Sequence, residues 1–74
     1  MQVAETSIHG SWLFTPELYA DDRGVFLESF TQQSFADSVG HEMPLKQANI
    51  SVSSQGTLRG IHFADVPPGQ AKYV

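Results

Sequence analysis

Polar and apolar residues alternate along residues 47–53, and this pattern predicts a strand. The apolar members of the row are Ala48, Ile50 and Val52. Successive side chains on a strand point to opposite faces, so one face is apolar and the other carries amides and hydroxyls. Gly56 follows in a Ser-Gln-Gly turn, where glycine takes a positive φ without steric cost. A second strand over 58–63 would complete a hairpin.

Shorter extended segments are predicted elsewhere in the chain. They are residues 8–14, 18–20, 25–30 and 71–74. Pro16 ends the first of these because its nitrogen cannot donate to a ladder. The run Asp-Asp-Arg-Gly at 21–24 predicts a tight turn. Residues 1–7 show no clear period.

One helix is predicted over residues 31–39. Thr31 or Ser34 would cap its start, and apolar residues four positions apart, beginning at Phe35, would share one side. Gly40 is a typical C-terminal stop. Short strands with one short helix near 31–39 predict a mainly β fold, either a sandwich or a barrel.

Composition restricts the class of protein. Seventy-four residues allow at most one small domain, and a domain of this size buries only ~60% of its unfolded surface. The chain has no cysteine, which excludes disulfides and makes a cytoplasmic location the default. It has no apolar run near ~18 residues and no basic leader, so we expect no membrane partner and no signal peptide. The net charge of −4 argues against a nucleic-acid partner.

The basic residues are few enough to consider one by one. They are Arg23, Lys46, Arg59 and Lys72. Each arginine directly precedes a glycine, where backbone can approach a ligand closely, and the guanidinium fork suits phosphate oxygens. The alternative is that each arginine pairs with a nearby surface carboxylate.

Two further residues are candidates for chemistry. The imidazole of His62 titrates near neutral pH, which suits a base that removes a proton from carbon beside a ketone. The alternative for His62 is a core or strand histidine bonded to a carbonyl. Glu28 lies between Phe26 and Phe30 in the alternating pattern, which is unusual for a core strand. The alternative for Glu28 is a solvent-facing position.

Four motifs together resemble the dTDP-4-dehydrorhamnose 3,5-epimerase family. They are Asp22-Arg23-Gly24-x-Phe26-x-Glu28-x-Phe30, Gln47-x-Asn49-x-Ser51, Gly56-x-Leu58-Arg59-Gly60-Ile61-His62-Phe63 and Pro67-Pro68-x-Gln70-Ala71-Lys72. They occur in the family's order and spacing over nearly the whole chain, which is more specific than any single short motif. The resemblance implies a cupin-type jelly-roll barrel. Residues 1–74 would be an incomplete single domain, its N-terminal portion, ending within a strand.

The resemblance also implies an activity. The family inverts C3, and then C5, of a dTDP-linked 4-keto-6-deoxy sugar during biosynthesis of deoxysugars such as dTDP-rhamnose. His62 matches the general base, and Lys72 matches the residue near the C4 oxygen, where enolate charge develops. Both 3-epimerisation and 3,5-epimerisation use this base, so both specificities stay open.

The remaining family matches concern substrate binding. Arg23 and Arg59 match residues that hold the nucleotide diphosphate and sugar. The family residues that make further contacts to the nucleotide or sugar are matched by Gln47, Asn49, Glu28 and the aromatic Phe26. The resemblance implies a homodimer in which the 23–28 segment serves the partner subunit's site.

Other parts of the family's site would lie beyond Val74. These are the proton-donating tyrosine and the carboxylate that orients the histidine, so we expect the isolated chain to be inactive. The chain lacks the clustered histidines of metal-binding cupins, and no metal and no cofactor are expected. Two alternatives are a non-catalytic nucleotide-sugar binding module and a dimerisation fragment that pairs with a full-length subunit.

The spacing of Arg59 and His62 on the second predicted strand is not compatible with both side chains contacting one ligand. Arg59 and His62 are three positions apart, so a regular strand would point them to opposite faces. A glycine inside a strand often marks a bulge, and we therefore predict a bulge at Gly60.

Overall fold

The computed structural model describes all 74 residues and contains four strands and one helix. The elements are β1 (Gln2–Glu5), β2 (Trp12–Thr15), β3 (Tyr19–Asp21), β4 (Gly24–Phe26) and α1 (Gln32–Val39). All of them lie in the first of two compact units, Met1–Pro44, and the second unit is Leu45–Val74. The two antiparallel sheets and the short helix confirm a mainly β chain with one helix. None of its helical structure has the length and apolar character needed to cross a membrane.

The first sheet pairs β1 with β2. The strands are antiparallel, and Val3 lies opposite Phe14. The predicted strand over 8–14 was wrong at its start, because residues 6–11 form the connection, closed by the Thr6 N–H donating to the Ser11 carbonyl at 2.8 Å. β1 was not predicted, since its residues do not alternate and only pairing with β2 makes them a strand.

The second sheet is a tight hairpin of β3 and β4. Asp21 pairs with Gly24, which leaves two residues in the turn and confirms the turn predicted over 21–24. The predicted strand over 25–30 was too long, because β3 offers only three partners and β4 ends at Phe26. Glu28 therefore lies after the strand rather than on its face.

Helix α1 begins and ends where its capping residues predict. The Thr31 side chain accepts a hydrogen bond from the Ser34 N–H at 3.2 Å, which satisfies one of the free N–H groups of the first turn. Gly40 has a φ of 95° and donates its N–H to the Ala36 carbonyl at 2.9 Å. This left-handed conformation is the reason why a glycine stands there. The helix predicted over 31–39 is confirmed.

A small aromatic cluster forms the core of residues 1–44. Phe35 on α1 is the buried apolar residue of the chain, with 8% of its surface exposed. Its ring stacks on Phe14 of β2, with centroids 5.7 Å apart and planes within 6°. Phe30 and the ring of His41 flank it at 6.0 and 5.8 Å. The helix is thus held against the first sheet by aromatic contact.

Residues 45–74 contain two turns, at 55–56 and 66–68, but no strand. The Thr57 N–H donates to the Ser54 carbonyl at 3.2 Å, and Gly56 has the predicted positive φ of 82°. The strands predicted over 47–53, 58–63 and 71–74 were wrong. Alternation favours a strand, but a strand needs a neighbour with which it forms a ladder, and these segments have none.

The predicted bulge was also wrong, for the same reason. A bulge is an irregularity in a ladder, and no ladder includes Gly60. Gly60 has a φ of 137°, so the backbone between Leu58 and Phe63 is not a regular strand.

Candidate functional site

The candidate residues fall in both units, three in 1–44 and five in 45–74, and each unit is described separately. Arg23 lies in the turn between β3 and β4. Its backbone N–H donates to Asp21 Oδ1 at 2.8 Å, and its guanidinium donates to Asp21 Oδ2 through Nη2 at 2.6 Å and Nε at 3.1 Å. The structure therefore bears out the surface-carboxylate alternative for Arg23.

The Asp21–Arg23 ion pair shifts the pKa of Asp21 but contributes little to stability. The Arg23 side chain, through its hydrogen bond to the carboxylate, lowers the pKa of Asp21, and the Arg23 backbone N–H acts in the same direction. Both side chains are exposed, and exposed ion pairs contribute little to stability. The Asp21 carboxylate thus orients the guanidinium without sequestering it from an incoming anion.

Phe26 lies directly opposite Tyr19 on the β3–β4 hairpin. The two rings are tilted by 47° with centroids 6.4 Å apart, and both residues are exposed. Each exposed ring offers an apolar face on which a planar ring can pack.

Glu28 lines a small, open surface cavity of about 40 Å³. The other lining residues are Met1, Glu17 and Tyr19. The Tyr19 hydroxyl donates to Glu17 Oε2 at 3.1 Å, and this hydrogen bond, together with the Glu17 charge, raises the pKa of Tyr19. Two carboxylates make the cavity suited to hydroxyl donors and unsuited to phosphate. Glu17 and Tyr19 were not predicted as site residues, and their spacing of two is the one signal that could have indicated side chains on the same side of an extended backbone.

In residues 45–74, the structure brings Gln47 and Asn49 together. The Gln47 side-chain amide donates from Nε2 to Asn49 Oδ1 at 3.0 Å. A contact between residues two apart agrees with the predicted polar row. Both side chains are exposed and present amide groups to solvent.

Arg59 reaches across the turn to the end of the same polar row. Its Nε donates to Ser53 Oγ at 2.6 Å, and its Nη2 donates to the Val52 carbonyl at 3.3 Å. The carboxylate alternative for Arg59 was therefore wrong. Because its partners are neutral, Arg59 keeps an uncompensated positive charge. Ser53 was not singled out as its partner from sequence.

His62 and Lys72 are exposed, and no hydrogen bond or ion pair fixes either side chain. The alternative of a core or strand histidine bonded to a carbonyl is therefore wrong for His62. Tyr73, beside Lys72, is partly buried, and burial raises the pKa of its phenol.

Comparison with known proteins identifies the family of this chain. The family model for dTDP-4-dehydrorhamnose 3,5-epimerase matches residues 5–74. The chain belongs to this family. The matched range includes the positions of every candidate residue from Arg23 to Lys72.

Individual members of the family are similar over the whole chain. A dTDP-4-dehydrorhamnose 3,5-epimerase of Mycolicibacterium smegmatis is 54% identical over 100% of this chain and 37% of its own length. A dTDP-4-dehydrorhamnose 3-epimerase of Streptomyces niveus is also 54% identical, over 100% of this chain and 36% of its own length. Relatives of both specificities are thus equally similar to this chain.

A solved structure of an epimerase is also similar to this chain, in both sequence and backbone. The rmlC epimerase of Mycobacterium tuberculosis superposes with a TM-score of 0.82 and 43% identity, over 93% of this chain and 34% of that chain. This chain therefore spans about a third of the length of the family members that it matches.

Proposed function

We propose that this chain is the N-terminal portion of an epimerase of dTDP-linked 4-keto-6-deoxy sugars that inverts C3, C5 or both. The observation that carries the proposal is the family match over residues 5–74, which includes the intact Leu-Arg-Gly-Ile-His-Phe motif around His62. In the full-length protein these residues would be the first part of a cupin-type jelly roll. The superposition on the rmlC epimerase supports that architecture.

The proposed reaction begins with proton removal. His62 takes the proton from the carbon beside the C4 ketone, and the electron pair moves onto the C4 oxygen as an enolate. The ammonium of Lys72 stabilises that charge, which is worth a few kcal/mol for a well-aimed donor. Return of a proton to the opposite face inverts the centre, through an acid outside residues 1–74.

Binding of the nucleotide follows from charge and hydrogen-bonding groups. Arg59 is the guanidinium without a carboxylate partner, which favours it for diphosphate oxygens. The Gln47–Asn49 pair supplies amides for further contacts. Arg23 and Phe26 on the β3–β4 hairpin, with Glu28 just after it, would contact the nucleotide-sugar of the partner subunit in a homodimer.

For the chain alone we propose that no turnover occurs. His62 is exposed and has no hydrogen-bond partner, and a histidine base needs a second group to fix its tautomer and direction. The isolated chain would then act as a binding or pairing fragment. Calorimetry with dTDP tests binding, and incubation with dTDP-4-dehydro-6-deoxyglucose tests turnover. Heat of binding without epimerisation is the expected result, and epimerisation by the chain alone would contradict it.

The test of the epimerase proposal uses a chimera. Residues 1–74 replace the matched portion of the M. smegmatis relative, and the product is assayed for epimerisation of dTDP-4-dehydro-6-deoxyglucose. We expect activity in the chimera and a loss of roughly 10²–10⁴-fold in His62→Asn, the range that general acid–base catalysis contributes. His9→Asn, on an exposed histidine of the first connection, is the matched control and should keep full activity. An inactive chimera that is folded and binds dTDP would reject the proposal.

A further inference from the structure

The guanidinium of Arg59 is held along one edge by oxygens of the polar row. Its Nε donates to Ser53 Oγ at 2.6 Å, and its Nη2 donates to the Val52 carbonyl at 3.3 Å. The turn closed by the Thr57 N–H and the Ser54 carbonyl brings these groups together, although they are six and seven positions apart. Two acceptors along one edge fix the plane and the direction of the guanidinium.

The other edge of the Arg59 guanidinium stays available to an anion. A guanidinium donates through Nε, Nη1 and Nη2, and the two contacts use the Nε–H and one N–H of Nη2. Both N–H groups of Nη1 and the second N–H of Nη2 have no acceptor in the chain. A parallel pair of N–H groups of this kind binds two oxygens of one phosphate. The contacts with Ser53 and Val52 therefore leave a phosphate-binding fork intact.

The charge of the acceptor distinguishes Arg59 from the other arginine of the chain. Arg23 is held by the Asp21 carboxylate, which places a negative charge beside its guanidinium. Ser53 instead supplies a neutral hydroxyl, which orients Arg59 without cancelling its charge. Attraction to a phosphate depends on that charge, and a carboxylate at the same place would repel the phosphate. A hydroxyl is thus the better orienting group beside a diphosphate.

We propose that Ser53 is a positioning residue for diphosphate binding, because its hydroxyl holds the Arg59 guanidinium with the phosphate-binding fork free. The inference rests on the proposed function, in which Arg59 binds the diphosphate of the nucleotide-sugar. A side chain that is already oriented loses less conformational entropy when its ligand binds. Removal of the hydroxyl therefore weakens diphosphate binding while the charge of Arg59 stays in place. The contact is exposed to solvent, so its loss changes stability little.

Nucleotide affinity of the chimera that carries residues 1–74 tests the proposal. Calorimetry compares dTDP with thymidine, which lacks the phosphates, in the parent chimera and in Ser53→Ala. We expect Ser53→Ala to bind dTDP about threefold to tenfold more weakly, the effect of one oriented hydrogen bond, and to bind thymidine as the parent does. Ser53→Thr keeps a hydroxyl and should restore the affinity for dTDP. Ser54→Ala, at the exposed neighbouring serine, is the matched control and should leave both affinities unchanged.

Two further variants separate positioning of Arg59 from a general loss of structure. When Arg59→Ala is already present, Ser53→Ala should have no further effect on dTDP affinity, since the group that it orients is gone. Ser53→Asp should weaken dTDP binding more than Ser53→Ala does, because the new carboxylate repels the phosphates.

Several results would overturn the role of Ser53. They are an unchanged dTDP affinity in Ser53→Ala, an equal weakening of thymidine binding, additive effects of Ser53→Ala and Arg59→Ala, and a parent chimera that binds dTDP no more tightly than thymidine. Epimerisation by the parent chimera is measured separately. An inactive chimera that binds dTDP rejects the proposed function, while its dTDP affinities still decide the role of Ser53.

Discussion

Replacement of Phe35 by alanine tests whether the aromatic cluster holds residues 1–44 together. Phe35 is the buried apolar residue of the chain and contacts Phe14, Phe30 and His41. Its removal loses the transfer free energy of a buried aromatic side chain, about 1.5–3 kcal/mol. Aromatic pairs add about 0.5–1.5 kcal/mol each, so the total falls near the ~3–5 kcal/mol measured for phenylalanine-to-alanine changes in cores.

That loss is large for a unit of this size. Domains below ~70–80 residues rarely gain more than about 3–5 kcal/mol from a single core. We therefore expect Phe35→Ala to remove essentially all of the stability of residues 1–44, and α1 to lose its helical structure with it.

The assay is urea unfolding followed by circular dichroism, with the ¹³Cα shifts of Gln32–Val39 as a local report on α1. Leu13→Ala is the matched control, because Leu13 is a large apolar residue of β2 that is 61% exposed. It should shift the urea midpoint little. Helical shifts that persist in Phe35→Ala, or equal effects of the two variants, would refute the role of the cluster.

Three further predictions concern single contacts of residues 1–44. Thr31→Ala removes the cap of α1 and should lower the free energy of unfolding by about 1 kcal/mol in urea titrations; an unchanged midpoint would show that the cap contributes nothing. The pKa of Asp21 is lowered by Arg23, so the stabilisation from this pair is complete above the carboxyl's unfolded pKa and is lost as pH falls through its lower folded pKa; an NMR titration of the Asp21 side chain should show the low midpoint, and an ordinary value would contradict the contact. Glu17→Gln should lower the pKa of Tyr19 towards its usual value near 10.0, and a Tyr19 ring titration that does not move would exclude the hydrogen bond.

Local signals allowed the helix and the turn between β3 and β4 to be predicted from sequence. Thr31 and Gly40 act within one turn of α1, and the Asp-Asp-Arg-Gly turn acts within four residues. Such elements need few long-range contacts, so their residues determine them. β1 differs, because Gln2–Glu5 becomes a strand only by pairing with β2.

In residues 47–63, by contrast, strands were predicted that the structure does not contain. Alternation there predicted strands, but strand formation depends on a partner and not on the pattern alone. The polar row was nevertheless meaningful, since Gln47 bonds to Asn49 and Arg59 bonds to Ser53. Sequence thus identified the polar row, but neither its hydrogen-bond partners nor the absence of a ladder could be read from it.

For the candidate site, sequence predicted the residues but not their interaction partners. The family motifs pointed to Arg23 and Arg59, but their partners, a carboxylate for one and neutral oxygens for the other, depend on the turns that carry them. The cavity lined by Glu17, Tyr19 and Glu28 depends on where the backbone places these residues. No sequence motif predicted it.

Isotope exchange tests the central claim, that His62 removes a proton from carbon beside the C4 ketone. The chimera carrying residues 1–74 is incubated with dTDP-4-dehydro-6-deoxyglucose in deuterium oxide, and deuterium at C3 and C5 is followed by NMR. The account predicts incorporation at C3 by the parent chimera and by His9→Asn, and none above background by His62→Asn. Incorporation at an undiminished rate by His62→Asn would contradict it.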